Sequence, residues 1–423
     1  MNGIDIAPLR LSFPTPSAAV RRLRERARRG PVPVQLGWFH RYPARFASEV
    51  VGTMIAGAVR RLEGPLSLCL DPFAGTGATN AAFRMLGIPS VGVELSELGV
   101  AIAALRLDPP TDLSDAYETL VNWTRACSTR RHRSVDDELE WWIGTDNARI
   151  VTRLRDRIED CADPALKRFA TVAVSQALRP SSRWLVGSVK VTADANREPQ
   201  PIGPQIGRWA TVIARDCARE RARTPLVSGE VPPAQVLVGD GCDLPLSDAS
   251  VDVVITSPPY FVTYDYFEVN RLSFLAFGWP RPAHLQVGVR FGVPADGIGF
   301  VPPRPMRDWY EERFGAESTV FGRALRAYFQ RLEANVKEIR RVLRPGGVAA
   351  YAVANSTRQG QTFDLVGATR EILERNGLTR IRSVPRGLGS THTLPVYRNA
   401  KSGRFSSRRG ISGVSERILY ACR

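Results

Sequence analysis

The stretch from Leu66 to Leu95 constrains the fold of this chain more than any other. Leu66–Leu70 is a short apolar run that predicts a buried strand, and Gly77–Leu86 has the periodicity of a helix. Val91–Leu95 predicts the next strand. A strand, a helix and a strand at this spacing form a right-handed βαβ unit, which belongs to a parallel sheet covered by helices. The sequence therefore predicts an α/β fold.

The same α/β pattern returns in the second half of the chain. Gln235–Asp240 and Val251–Thr256 predict two more strands. The remaining predicted core elements are helices over Ser48–Leu62, Tyr328–Val342 and Phe363–Asn376, and strands over Val348–Ala354, Leu378–Ser383 and Glu416–Ala421. We expect the last of these strands to be the return strand of a hairpin that ends the chain.

A long interval separates the two halves of the predicted sheet. Residues from about Pro109 to Pro233 are mostly helical in pattern, and we interpret them as an inserted subdomain. Its predicted helices span Ser114–Arg125, Asp146–Asp160, Pro164–Ala177 and Gly207–Arg223. The resulting domain organisation is a basic arm at 1–37, one half of the core at 38–108, the insertion at 109–233, and the other half at 234–423 with an aromatic-rich excursion at about 261–314.

The charge of the chain predicts a polyanionic partner. The formal net charge is +16 and the isoelectric point is about 10.2, which favours contact with nucleic acid. Val20–Arg29 predicts a short basic helix, and Lys401–Gly410 is a second basic stretch. Each could lie along phosphates, where clustered arginine releases counterions. The alternative for both segments is a solvated surface that touches no ligand.

Cysteine and histidine usage argues against a disulfide scaffold and against a metal site. The six cysteines (Cys69, Cys127, Cys161, Cys217, Cys242 and Cys422) form no CxxC pair, and the four histidines are isolated. No apolar run is long enough to span a membrane, and no signal-peptide core follows Met1. We therefore expect a cytoplasmic protein with reduced thiols, no metal and no membrane partner.

A glycine-containing loop follows the first predicted strand, with the sequence Asp71-Pro72-Phe73-Ala74-Gly75-Thr76-Gly77. Glycine lacks the Cβ atom that would block a ligand from approaching the backbone. Backbone N–H groups and the amino end of the next helix would then face that ligand. A dinucleotide-binding loop would carry a third glycine, which is absent here.

A second loop, Ser257-Pro258-Pro259-Tyr260, follows the predicted strand Val251–Thr256. Its consecutive prolines fix the backbone, so that polar acceptors in the loop are held in place before a substrate arrives. Tyr260 offers a flat aromatic face on which a base can stack. Ligand sites in parallel sheets lie at the carboxyl ends of the strands, which is where both loops are predicted to be.

The two loops together resemble the motifs of S-adenosylmethionine-dependent DNA amino-methyltransferases. The resemblance covers residues 38–105 and 235–420, and it implies a doubly wound, Rossmann-like class I methyltransferase sheet with a helical insertion. It also implies S-adenosylmethionine as cofactor, with Phe73, Gly75 and Gly77 on its methionine and ribose side. The segment His40–Phe46 resembles the family segment that closes over the methionine moiety, with Arg45 and Phe46 as its contacts.

Other cofactor contacts are predicted at strand ends. Glu94 ends the second strand, where a carboxylate can accept hydrogen bonds from a ribose diol; the alternative is a glutamate in solvent. Asp240 is predicted to contact the adenine amino group, and Asp243 is the competing candidate. The full candidate cofactor set is Arg45, Phe46, Asp71, Phe73, Ala74, Gly75, Thr76, Gly77, Glu94, Asp240 and Asp243.

The resemblance assigns catalysis to Ser257, Pro258, Pro259 and Tyr260. The exocyclic amine of a base is a poor nucleophile because its lone pair is delocalised into the ring. Ser257 and the Pro258 carbonyl would accept hydrogen bonds from the amine and direct that lone pair at the methyl group. Direct displacement at the sulfonium methyl would follow, and the methylated amine would then lose a proton to solvent. Methylation at cytosine C5 needs a nucleophilic cysteine, normally in a Pro-Cys dipeptide, and the chain contains none.

The first residue of the catalytic loop bears on the target base. In the resembled families, Ser-Pro-Pro-Tyr is typical of cytosine-N4 enzymes, whereas Asp or Asn at the first position is typical of adenine-N6 enzymes. The predicted partner is double-stranded DNA with the target base flipped out. Adenine N6 and an RNA base (tRNA or rRNA) remain alternatives, and the sequence does not identify a recognition site or a cognate restriction or defence protein.

Two further segments have alternative interpretations. The aromatics of Phe261–Phe267, with Trp279 and Trp309-Tyr310, could form the wall of a base pocket or pack in the core. Arg179–Lys190 could contact phosphates or form ordinary surface. Leu343–Gly347, before a strand, is interpreted as structural.

Overall fold

A seven-stranded mixed sheet lies at the centre of the computed structural model of the chain. The residues that the structure describes are 17–34, 40, 42, 47–128, 135–188, 191–223, 234–261, 265–282, 287, 300–313, 320–358, 361–386, 397–398, 405–406 and 416–423. The strands are β1 Cys69–Asp71, β2 Ser90–Glu94, β3 Ala234–Val238, β4 Val251–Thr256, β5 Leu343–Ala354, β6 Ser356–Arg358, β7 Gln361–Phe363, β8 Thr379–Pro385, β9 Tyr397–Arg398, β10 Phe405–Ser406 and β11 Glu416–Cys422.

The order of the strands in the sheet is β3-β2-β1-β4-β5-β11-β8. The five strands from β3 to β5 are parallel, whereas β11 is antiparallel to both of its neighbours. The predicted return strand at the end of the chain is β11, which pairs antiparallel with β8, although β9 and β10 lie between the two in the chain. The chain order reverses between β1 and β4, and such a switch point is where open α/β sheets bind ligands. The predicted α/β class and a mostly parallel sheet are thereby confirmed, and the strand order is compatible with the doubly wound, Rossmann-like arrangement.

Helices cover the sheet and fill the interval between β2 and β3. Their bounds are α1 Ser17–Arg29, α2 Ser48–Arg61, α3 Ala78–Met85, α4 Glu97–Leu107, α5 Leu113–Ser128, α6 Asp137–Ile143, α7 Thr145–Glu159, α8 Pro164–Leu178, α9 Ile202–Arg223, α10 Tyr266–Val269, α11 Arg271–Phe277, α12 Arg304–Arg313, α13 Val320–Val342 and α14 Leu365–Arg375. In the part of the chain that the structure describes, no helix has the length and apolar composition needed to cross a bilayer.

Alternate residues of the central strands enter different cores, because successive side chains of a strand point to opposite faces. Leu70 and Val254 pack with helices α13 and α14. Cys69, Val253 and Ile255 pack on the other face with α1 and α2. Both faces of the parallel strands are therefore buried, which explains why these strands are nearly continuous apolar runs in the sequence.

The helices α5–α9 share an apolar core of their own, together with α4 and α11. Phe169 and Trp184 are among its buried aromatic residues. Helix α11 was not predicted from the sequence. Helices α4 and α6 were not predicted either. Each begins at a side-chain cap, because Ser96 accepts a hydrogen bond from Gly99 N–H and Asp136 accepts one from Leu139 N–H.

The basic helix α1 is docked on the body of the protein. Ala19, Leu23 and Ala27 are buried along one side of it and pack in the core that α2 shares. The Arg24 guanidinium donates to the carbonyl of Gly64, which precedes β1. This contact places α1 at the amino-terminal edge of the parallel strands, so the helix is ordered against the protein.

Candidate active site

The two sequence motifs come together at the switch point of the sheet. Strands β1 and β4 are parallel neighbours, with Cys69 opposite Val253 and Leu70 opposite Val254. Beyond these pairs, the Thr256 hydroxyl donates a 2.9 Å hydrogen bond to Oδ1 of Asp71. Asp71 begins the glycine loop and Thr256 precedes the catalytic loop, so one buried hydrogen bond joins the two loops.

Asp71 holds the glycine loop in place through hydrogen bonds to its buried side chain. Its side chain is 2 % exposed and accepts hydrogen bonds from the Phe73 N–H at 3.1 Å and from the Thr79 side chain. Burial raises the pKa of Asp71 to about 6, and these donors lower it in part. The buried Asp71 carboxyl thus binds the glycine loop, the strand end that precedes the catalytic loop, and helix α3. We interpret it as a structural support for the site.

The glycines of the loop adopt a backbone conformation that other residues avoid. Gly75 has a φ of +54° and Gly77 has a φ of +72°. A Cβ atom added to Gly77 would lie 2.8 Å from the Cβ atom of Ala103, so this glycine is needed for packing of the loop on α4. A Cβ atom added to Gly75 would meet no atom within 4 Å. Open space therefore lies in front of Gly75.

The other loop residues have different surroundings. Ala74 is buried in a small apolar cluster with Ala103, and Thr76 is 6 % exposed. Phe73 packs at the margin of the sheet core and adjoins Gly241, where an added Cβ atom would lie 2.9 Å from the Phe73 ring. The side chains of Ala74 and Thr76 are therefore buried in the protein, so that only their backbone groups could contact a ligand.

Glu94 is held against the glycine loop. Its carboxylate accepts hydrogen bonds from the N–H of Gly75 at 2.8 Å and from the N–H of Ser96 at 2.9 Å. Shielding from solvent raises the pKa of Glu94 to about 7, with a smaller contribution from the charge of Asp71. The Leu95 N–H is a third backbone donor to this carboxylate. A carboxylate has about four acceptor sites, so Glu94 keeps about one for a ligand.

Tyr42 also reaches this part of the site, and the sequence analysis did not single it out. The buried Tyr42 hydrogen-bonds the Ser96 side chain. Burial, and to a smaller extent the nearby charge of Glu94, raise the pKa of Tyr42. Its ring stacks on Tyr266 with a centroid separation of 6.1 Å. The sequence signal that could have identified Tyr42 is its position inside the segment His40–Phe46. Arg45 and Phe46, predicted contacts from that segment, lie outside the described residues.

The loop after β3 is held by contacts that the sequence did not reveal. The carboxylate of Asp240 forms an ion pair with Arg331 on α13 and accepts the N–H of Cys242 at 2.9 Å. Asp243, by contrast, is exposed. Gly241 lies against Pro72 and Phe73, so the loop after β3 adjoins the glycine loop. Asp240 is held by partners within the protein, and the assignment of the adenine contact to Asp240 or Asp243 stays a prediction.

The catalytic loop has a polar network of its own. The Tyr260 hydroxyl donates to the carboxylate of Glu416, which is 6 % exposed and forms an ion pair with Arg386. The Ser257 side chain hydrogen-bonds Tyr260, and its Oγ lies 3.5 Å from the carbonyl oxygen of Ala352. Burial and the negative charge of Glu416 raise the pKa of Tyr260 well above its usual value, so its phenol stays protonated.

Most described aromatics after the catalytic loop are packed in the interior. Phe261 packs on Tyr328 at a centroid distance of 5.4 Å, and Trp279 stacks on Phe277 at 4.6 Å. For these residues the core-packing alternative is confirmed. Nothing is described of the Trp309 and Tyr310 side chains, which lie in α12.

The segment after α8 is braced by its own arginines. The Arg179 guanidinium donates to the Ser188 carbonyl, and that of Arg183 donates to the Trp141 carbonyl at 3.0 Å. Both side chains thus have structural partners within the helical insertion. Of the second basic stretch, Lys401–Gly410, only Phe405–Ser406 falls within the described residues.

The site as described consists of carboxylates, hydroxyls, backbone N–H groups and aromatic rings. Among the described residues, no three His, Cys, Asp or Glu side chains are grouped as a metal ion would require. Comparison of the chain with models of known protein families found no match, and neither does any curated protein match it. Its function must therefore be argued from the motifs and the geometry of the site.

Proposed function

We propose that this chain is an S-adenosylmethionine-dependent methyltransferase that modifies an exocyclic amino group of a base in double-stranded DNA. Cytosine N4 is the favoured target because the catalytic loop begins with Ser257. Adenine N6 in DNA and an amino group of a tRNA or rRNA base are the alternatives. We further propose that the protein acts inside the cell, where such substrates are found.

The adjacency of the two motif loops carries this proposal. Methyl transfer requires a cofactor site and an amine site within bonding distance of each other. The hydrogen bond from Thr256 to Asp71 and the parallel pairing of β1 with β4 bring the loops together at the switch point. Residues 71–77 and 256–260 are far apart in the chain, so their meeting is an independent support for the function that each motif predicts.

The residues at the glycine loop fit the proposed cofactor. The open space in front of Gly75 admits a ligand close to the backbone. Glu94, at the edge of that space, retains an acceptor site for a ribose hydroxyl, and the buried Tyr42 lies beside Ser96 and Glu94. When bound, S-adenosylmethionine would supply an electrophilic methyl group on its sulfonium sulfur.

The catalytic loop can prepare an amino group for transfer. In the proposed mechanism, Ser257 Oγ and the Pro258 carbonyl accept the two N–H groups of the amine, which draws its lone pair out of the ring. The two prolines hold these acceptors in position before the base arrives. Tyr260 provides a stacking surface for a base extruded from the duplex, a capture that aromatic side chains stabilise.

Methylation of purified nucleic acids tests the proposal. The chain would be incubated with tritiated S-adenosylmethionine and either unmethylated genomic DNA or unmodified tRNA, and the modified nucleosides identified by mass spectrometry. We expect N4-methylcytosine in DNA, with slower transfer by the Ser257→Ala variant. Transfer to tRNA alone would favour the RNA alternative, and transfer to neither substrate would contradict the proposed function.

A further inference from the structure

We propose that Glu416, held by Arg386, is a positioning residue for the catalytic loop, and that it acts through the hydroxyl of Tyr260 on Ser257. This role rests on the proposed function, because it concerns how the loop presents an acceptor to the substrate amine. Neither Glu416 nor Arg386 belongs to the Ser-Pro-Pro-Tyr segment, and both are more than 120 positions away from it in the chain.

The side chains of Ser257, Tyr260 and Glu416 form a chain of hydrogen bonds in which each hydroxyl donates toward Glu416. The Tyr260 hydroxyl has a single O–H bond, and it donates this as a hydrogen bond to the neighbouring Glu416 carboxylate. The Tyr260 oxygen is therefore left as an acceptor for the Ser257 hydroxyl, which is its other side-chain partner. The competing acceptor for that hydroxyl, the Ala352 carbonyl oxygen, lies 3.5 Å away, at the limit of a hydrogen bond. Because the Ser257 hydroxyl donates its hydrogen bond to Tyr260, its lone pairs stay free to accept from an incoming donor.

This direction matches what the proposed chemistry requires. An amino group donates its N–H bonds, so Ser257 must accept one of them. The negative end of the chain, at Glu416, polarises each hydroxyl toward it and makes the Ser257 oxygen a better acceptor. Without Glu416, both hydroxyls could rotate, and Ser257 would lose its fixed orientation.

Burial explains why Arg386 is needed. Glu416 is 6 % exposed, and a carboxylate at such a position is costly unless a cation and hydrogen bonds compensate it. The Arg386 guanidinium forms an ion pair with it, and the Arg386 N–H donates to the Glu416 carbonyl at 2.9 Å. Glu416 begins β11, opposite Ala354 of β5, so its backbone is fixed by the sheet.

Kinetics of methyl transfer to unmethylated genomic DNA test this role. Tyr260→Phe keeps the ring for stacking but removes the hydroxyl, so we expect kcat to fall about 10-fold, as for one hydrogen bond to a charged group, with KM for DNA little changed. Glu416→Ala should give a similar kcat. The double variant should lose no more than either single variant, because both changes break the same chain.

Two further variants complete the experiment. Glu416→Gln keeps an acceptor for Tyr260 and should recover part of the kcat that Glu416→Ala loses. Glu63→Ala removes a carboxylate that pairs with Arg380 at 2.6 Å on the exposed, opposite edge of the sheet, and it should match the wild type. Circular dichroism and S-adenosylmethionine affinity verify that each variant is folded.

Three results would overturn this role. They are wild-type kcat in a folded Glu416→Ala variant, wild-type kcat in Tyr260→Phe, and fully additive losses in the double variant. In each of these cases wild-type activity would remain and the proposed function would stand. A wild-type protein that methylates neither DNA nor tRNA would overturn the function itself and this role with it.

Discussion

The hydroxyl of Thr256 donates a 2.9 Å hydrogen bond to the buried carboxyl of Asp71, across 185 positions of the chain. We predict that Thr256→Val, which removes the hydroxyl and little else, lowers the free energy of unfolding by about 1 kcal/mol, since it withdraws one donor from a buried acceptor. Urea denaturation would measure the change. Thr211→Val is the control, because that exposed hydroxyl only bonds its own helix at Gly207; an equal loss there would contradict the assignment.

Glu94 should make cofactor binding depend on pH. Its pKa is about 7 in the free protein, whereas a ribose diol needs the ionised carboxylate as acceptor. Below pH 7 binding must first remove a proton, so affinity for S-adenosylmethionine should fall by up to about tenfold per pH unit. Above that value the affinity should level off.

Calorimetric titration with S-adenosylmethionine from about pH 6 to about pH 8, a range centred on the pKa of Glu94, would measure this dependence. Glu94→Gln keeps the size of the side chain but cannot ionise, so its affinity should be weaker and flat with pH. A wild-type affinity that stays constant over the range would show that Glu94 does not hold the diol.

The two glycines of the loop should respond differently to substitution. Gly75→Val places a side chain in the open space where the ligand is proposed to lie, so affinity for S-adenosylmethionine should be lost while the protein still folds. The left-handed backbone costs such a residue about 1–2 kcal/mol. Gly77→Val should destabilise the fold more strongly, because its Cβ atom would contact Ala103 at 2.8 Å.

Calorimetry and thermal unfolding separate these two effects. If a folded Gly75→Val variant bound the cofactor normally, the assignment of residues 71–77 would be wrong.

Ser257 and Tyr260 should be needed for transfer but not for cofactor binding. Ser257→Ala should lower turnover with little loss of DNA affinity, because its hydrogen bond orients the amine. Tyr260→Ala should also weaken capture of the flipped base, by about 1–3 kcal/mol for one base–aromatic stack. Filter binding and single-turnover kinetics would measure the two effects.

The product is a second check of the same loop. We expect N4-methylcytosine without 5-methylcytosine, and no covalent adduct with DNA that contains 5-fluorocytosine. A trapped adduct would contradict direct methylation of an amine. N6-methyladenine as the sole product would leave the mechanism in place and refute the choice of base.

The arginines of α1 should contribute little to DNA binding at the catalytic edge. Arg21, Arg22, Arg28 and Arg29 are exposed, but α1 is anchored beside Gly64 at the opposite edge of the sheet. Replacing all four with glutamine should therefore leave the salt dependence of DNA affinity unchanged. A slope that flattens by about 0.9 for each phosphate that the variant no longer neutralises would show instead that DNA reaches this helix.

The local parts of the fold and of the site could be predicted from the sequence. The strand Val251–Thr256 has the predicted bounds, because a short apolar run that ends in two prolines has few other conformations. The glycine loop was likewise evident from its residues. Boundaries were less certain: β1 begins at Cys69 rather than Leu66, and α13 begins at Val320 rather than Tyr328, because sheet pairing and tertiary packing set these ends.

Tertiary structure alone decided which distant residues meet. The sequence placed the glycine loop and the catalytic loop each at a strand end, but the order of strands made β1 and β4 neighbours. It also brought Tyr42 to Glu94, and Glu416 to Tyr260. Such contacts follow from the packing of whole elements, whereas local patterns depend only on neighbouring residues. The motifs thus specify which groups are present, and the sheet fixes which of them act together.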